Sequence, residues 1–479
     1  MTPAIVATTL VIYIIVLLTA AIYTSRHNTN SGYFTAGGEL RWWVAAMAMM
    51  TAAMSGITLV SVPGAVAKGS LSYMQMTLGF TAGQMVIAFL LIPIFYKMRV
   101  TSLYQYLESR FGTTTHRTGA WFFTIAKIFL AALRLYVMVI VLQSMLFDHI
   151  GIAQPITSTL VVGVVWLATR RGGVRSLVWI DILKSFCLVG ATIMIIHFLV
   201  GAIGWNMSEL WDGLQASPYS QILFFDDSSS PLYFWKMFFA GMFTLVAMTG
   251  LDQDMMQCNL SCINYRHAQK NIVATALLQI VVIGMFLTLG LLMYKYADLK
   301  GLMLPESGDR LLPLIATDGG LPIFAGVLFV LGLVSSTFAS ACSSLTGLTT
   351  SATVDLMSGE RLEESQLTTL RLRMHTLIAI AIAAVMMMVS SLGNESIVNV
   401  LFKFVGYAYG PILGLYAFGI FTRWQIDDRR VWIVAVGSLL ISIGGEWLLK
   451  IYAGYSIGFE LLIYNAMITI IGLLIIKKR

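Results

Sequence analysis

Arg134 stands in Leu133-Arg134-Leu135-Tyr136, inside a long apolar run. A guanidinium placed there must face a polar cavity or an acidic partner, because hydrocarbon cannot solvate it. Either it pairs structurally with a carboxylate, or it forms a fork for the carboxylate of a bound solute. Lys127 lies about two helical turns earlier on the same face. Asp181, in Leu177-Val178-Trp179-Ile180-Asp181-Ile182-Leu183, carries the same cost. It either pairs with Lys184 or Arg175, or acts as a cation ligand or proton carrier. A third feature is the run Ser335-Ser336-Thr337-Phe338-Ala339-Ser340-Ala341-Cys342-Ser343-Ser344. Small hydroxyl residues often do no more than let helices pack closely. Here Ser336, Ser340 and Ser343 recur at four and three residues, so they share a helical face. Hydroxyl oxygens a turn apart can converge on a hard cation, and neutral oxygens suit Na⁺ better than a divalent ion.

The elements that must position these residues are membrane helices. The chain has 479 residues, 58% hydrophobic and 11% charged, with mean hydropathy +0.82. A soluble chain carries about 25% charged residues, so this one must face lipid. Thirteen apolar stretches are long enough to cross, at 4–24, 42–66, 73–96, 119–147, 155–169, 176–201, 232–250, 271–296, 321–354, 374–392, 396–421, 431–451 and 456–476. The net charge of +7 resides in short clusters between them, which is the pattern of membrane orientation and not of a nucleic-acid groove. Lysines and arginines favour one alternate set of loops, which places the N-terminus outside and the C-terminus in the cytoplasm. Cys187, Cys258, Cys262 and Cys342 read as free thiols. The second span is interrupted by Ser55-Gly56-Ile57-Thr58 and Pro63-Gly64. Such a break is either a plain kink or a discontinuous helix at a binding site. The seventh span, with Gly241 and Gly250, is its expected counterpart in an inverted repeat.

In five ordered segments the chain resembles the sodium/solute symporters, the family of the sodium–glucose, sodium–proline and bacterial sodium–sialic acid transporters. They are Arg41-Trp42-Trp43 with the break in the second span; the loop Thr101 to Gly112; Gly172-Gly173-Val174-Arg175-Ser176 through Asp181; Leu251 to Gln257; and Tyr409 to Gly414. Gln105 stands where glutamate is usual in that family, and Lys184 where glutamine is usual.

The resemblance implies an all-α LeuT-type fold of five-plus-five inverted helices in one transporter domain. A helix at 4–24 precedes the first repeat at 42–201; the second repeat at 232–421 is followed by two helices at 431–476. Core helix 1 is 42–66 and core helix 8 is 321–354. By resemblance a first Na⁺ takes backbone oxygens of Thr51, Met54 and Ser336 and the hydroxyl of Ser340, with Ala339 standing where a second hydroxyl is usual. A possible second Na⁺ falls on Asp181 and Ser343. The substrate falls near Ser55, Thr58, Tyr73, Gln75 and Arg134, the arginine suggesting an organic anion such as a sialic acid. The expected function is Na⁺-coupled import of a small organic solute across the bacterial inner membrane, with no enzymatic activity. Two rivals stand beside it: a proton-coupled transporter of the same fold with Asp181 as carrier, and a membrane sensor that binds solute without moving it.

Overall fold

A computed structural model describes residues 3–25, 29–52, 54, 56–98, 100, 102–317, 319–359, 362–389, 397–452, 454, 457–458, 460 and, without break, 461–478. Its long elements are helices, the only arrangement apart from a closed barrel that satisfies every backbone group inside hydrocarbon. Helix α1 is Pro3–Ser25. The second span is two helices, α2 (Trp42–Ala52) and α3 (Gly56–Gly64). Then come α4 (Tyr73–Val86, continued to Met98), α5 (Thr113–Leu142), α6 (Gln154–Thr169) and α7 (Gly173–Ile203). The seventh span is α8 (Phe234–Leu245, continued to Gly250), followed by α9 (Gln253–Leu260) at a 67° bend. The chain closes with α10 (Tyr265–Lys300), α11 (Ile323–Ser351), α12 (Glu364–Val389), α13 (Ile397–Phe421), α14 (Val431–Tyr452) and α15 (Leu461–Ile475).

Among the described residues nine helices are long and apolar enough to cross a membrane, or ten if the bent pair is one span. The other expected spans coincide with the shorter apolar helices α6 and α15 and with the broken α2–α3 pair. Depth within the bundle follows polarity. The hydroxyl-rich span holding α11 is 72% buried within its most apolar window, against 28% for the spans of α1 and α14. The serines and threonines therefore face protein, while Ile12, Ile15, Leu440 and Ile441 face outward.

The first break is held by close packing. A Cβ on Gly56 would collide with the Thr337 hydroxyl and come within 2.7 Å of Leu333 Cδ1. Glycine thus lets the broken span lie directly on α11. Gly56→Ala is expected to destabilise the protein by about 1–3 kcal/mol through overpacking, read as a lower melting temperature in detergent. Where α4 crosses α8, a Cβ on Gly241 would lie 2.5 Å from the Met76 carbonyl oxygen, so small residues again set the approach.

One end of the bundle is stitched together by polar groups. Asp355 accepts hydrogen bonds from the Ser102 and Ser351 hydroxyls, each at 2.7 Å, and meets His116 at 3.0 Å. Asp428 accepts from the Thr114 and Thr115 backbone at 3.0 and 2.7 Å, anchoring the start of α5. The 102–110 segment docks on the second break, because Leu103 N–H donates to Gln253 and the Tyr104 hydroxyl donates to the Leu251 carbonyl.

Candidate functional site

The bend between α8 and α9 delivers two carboxylates to the middle of the bundle. Asp252 caps α9, its side chain accepting from the Asp254 N–H at 3.0 Å. Lys127 of α5 reaches both acids, 2.8 Å from Asp252 and 2.7 Å from Asp254, and all three side chains are 2% exposed or less. The Tyr409 hydroxyl of α13 donates to Asp252 at 2.6 Å. From α11, the Ser343 hydroxyl donates to Asp254, and Ser344 does so at 3.1 Å. One buried network therefore joins α5, α9, α11 and α13. The structure resolves the alternatives open for Lys127: it is an ion-pair partner of two aspartates.

Arg134, two turns along α5, is buried at 8% exposure. Its Nε has no hydrogen-bond partner, and no carboxylate among the described residues lies within ion-pair distance of it. Asp254, Lys184 and Tyr409 all act on it electrostatically. A buried guanidinium with an unsatisfied donor is costly to maintain, and an incoming anion would satisfy it.

Asp181 and Lys184, one helical turn apart on α7, are both buried and act on each other electrostatically. Asp254 also acts on Asp181. The Lys184 ammonium donates to the Ser340 hydroxyl at 3.0 Å. Ser340 in turn donates to the Ser336 carbonyl at 3.0 Å. On the same helix, the Ser185 hydroxyl donates to the Met47 carbonyl at 2.9 Å, tying α7 to the first half of the broken span.

Three carboxylates (Asp181, Asp252, Asp254) and three cations (Lys127, Arg134, Lys184) thus share this part of the interior. The sequence alone marked Arg134, Asp181, Ser340 and Ser343. It did not mark Asp252, Asp254 or Tyr409 as site residues, and it took Lys184 as a partner for Asp181 and as a departure from the family's usual glutamine. The signal available was a second buried charge on the face of Asp181, beside a missing hydroxyl at Ala339.

Of the other expected site residues, Met54 is buried at the break in the second span, Ser336 and Ala339 are buried in α11, and Thr58 and Tyr73 are half-buried. Ser55 lies outside the described residues, as does the Thr51 side chain. The Gln75 amide donates to the Leu232 carbonyl at 2.9 Å and accepts from the Phe224 N–H at 2.9 Å, and it also donates to the Met237 sulfur, so it anchors the 221–232 loop. Lys403 pairs with Glu446 at 3.0 Å.

Two broken spans meeting around a buried ionic core, in an all-helical membrane bundle, define a secondary transporter of the LeuT type. The model of the Sodium:solute symporter family matches residues 33–425. The chain belongs to that family. It is 23% identical over 422 residues to a sodium/sialic acid symporter, SiaT, of Proteus mirabilis, covering 85% of this chain and 82% of that protein. It is 26% identical over 437 residues to the sodium-coupled monocarboxylate transporter 2 of Danio rerio, covering 87% of this chain and 66% of that one. Among solved structures, it superposes on a Na⁺-coupled sialic acid symporter in a substrate-bound outward-open state with TM-score 0.83 and 20% identity. That match covers 98% of this chain and 97% of the other. A nucleobase-cation-symport-1 family transporter, MHP1, matches with TM-score 0.60 and 10% identity, covering 92% and 93%.

Proposed function

We propose that this protein is a Na⁺-coupled symporter that imports a small organic carboxylate by alternating access, and is not an enzyme. The observation that carries the reading is Arg134, a buried guanidinium whose Nε lacks a partner. Arg134 receives the carboxylate, and Thr58 and Tyr73, with Ser55, line the remainder of the substrate. The relatives named for sialic acid and monocarboxylate transport support the anionic class. Two cation positions flank the site. The first lies between α2–α3 and α11, at Thr51, Met54, Ser336, Ala339 and Ser340. The second lies at Asp181 and Ser343, with Asp254 beside them. A cation that favours the substrate-binding state raises substrate affinity, and by linkage substrate raises cation affinity equally. The domain comprises one helix, repeats at 42–201 and 232–421, and two closing helices, and it sits in the bacterial inner membrane with the N-terminus outside and the C-terminus cytoplasmic.

In proteoliposomes, an inward Na⁺ gradient is expected to drive accumulation of sialic acid or a short monocarboxylate, and replacing Na⁺ with choline is expected to abolish it. Undiminished uptake in choline with an inward pH gradient would replace sodium by protons as the driving ion.

A further inference from the structure

We propose that Lys184 is a built-in cation, its ammonium filling the position between the broken second span and α11 that sodium takes in related transporters. The inference rests on the assignment of that position given above. The geometry is direct. Lys184 is fully buried, and its ammonium donates to the hydroxyl of Ser340 at 3.0 Å. That hydroxyl is the one side-chain oxygen the assignment leaves to the ion. Ser340 donates its own hydroxyl hydrogen to the Ser336 carbonyl at 3.0 Å.

The donor set around the position points the same way. A bare hard cation needs several converging oxygens. Ala339 stands where the resemblance puts a second hydroxyl of α11 at this position. An ammonium needs only a few acceptors and arrives on its own stem. The helix that carries the stem lies against the broken span, where the neighbouring Ser185 hydroxyl, shared with the Asp181 carbonyl at 2.8 Å, reaches the Met47 carbonyl at 2.9 Å. Sodium and an ammonium sharing one hydroxyl would repel each other.

A tethered ammonium fixes the contact between the broken span and α11 but cannot dissociate on either side of the membrane. It therefore harvests no gradient. Sodium coupling in this chain runs through the position at Asp181 and Ser343 alone.

The test is equilibrium binding of radioactive ²²Na⁺ to the purified full-length protein, with choline and potassium as competitor controls. Lys184→Gln restores the residue usual in the family and is expected to add a second sodium ion per chain. Adding Ser340→Ala to Lys184→Gln is expected to remove that extra ion. Lys184→Met serves as a second uncharged variant should the glutamine protein be poorly folded, and Lys184→Arg, which keeps the charge, is expected to bind no extra sodium. Unchanged sodium binding in both folded uncharged variants would overturn the proposal, as would an extra ion that survives loss of Ser340. Loss of sodium coupling as such reads differently. A wild-type protein that binds no sodium contradicts the transport reading, while a gain in Lys184→Gln would still support the built-in cation.

Discussion

Arg134→Ala is expected to abolish uptake of the carboxylate substrate while leaving the folded protein able to bind sodium. The side chain is buried and its Nε donor has no partner. A substrate carboxylate placed there gains charge-assisted bonds in a region shielded from water. Truncating one member of a buried charge pair costs about 2–5 kcal/mol, which corresponds to roughly 30-fold to several-thousand-fold weaker substrate binding. Arg134→Lys keeps the charge but loses the planar fork, so only part of the affinity should return. The measurement is substrate-induced thermal stabilisation alongside radiolabelled uptake, with sodium-induced stabilisation as the control for folding. If Arg134→Ala transports the carboxylate with an unaltered KM, the guanidinium serves only to balance Asp254.

Lys127→Met is expected to have the largest effect on stability. Lys127 lies 2.8 Å from Asp252 and 2.7 Å from Asp254, both buried. Removing the ammonium leaves two acids with hydroxyl partners (Tyr409, Ser343, Ser344) but with their principal ion pair gone. Breaking a buried pair by deleting one partner costs about 3–5 kcal/mol. The loss should appear as poor yield and a depressed melting temperature in detergent. The triple variant Lys127→Met, Asp252→Asn, Asp254→Asn removes the unpaired charges with the ammonium and is expected to be more stable than Lys127→Met alone. A triple variant no better than the single one would mean that the pairing contributes little. Because the network joins α5 and α13 to the bend before α9 and to α11, the rescued protein is still expected to transport slowly.

Much of this was legible from sequence. Bilayer thickness sets the length of an apolar run, so helix positions follow from composition alone. Most expected spans match the observed helices to within a few residues; α5, expected from 119, begins at Thr113, and α12, expected from 374, begins at Glu364. The break in the second span announced itself through Gly56 and Pro63, which act on their own backbone whatever surrounds them. Arg134 and Asp181 stood out because a charge in hydrocarbon is costly wherever its partner lies.

Partnership was a different matter. Lys127 finds its acids 125 and 127 positions further on, and Lys184 finds Ser340 across 156 positions. Periodicity says which residues share a face of one helix, but it carries no information about the rotation and depth at which that helix meets another. Gln75 illustrates the loss. Its place at the start of a core helix gives no hint that a loop some 150 residues later takes up its amide. Sequence thus determined that this is a membrane transporter with broken helices and a few costly polar groups, because those properties are local. Only the tertiary structure decided which cation meets which oxygen, and in particular that a lysine, not an empty cluster of hydroxyls, stands at Ser340. That pairing depends on how separate helices pack.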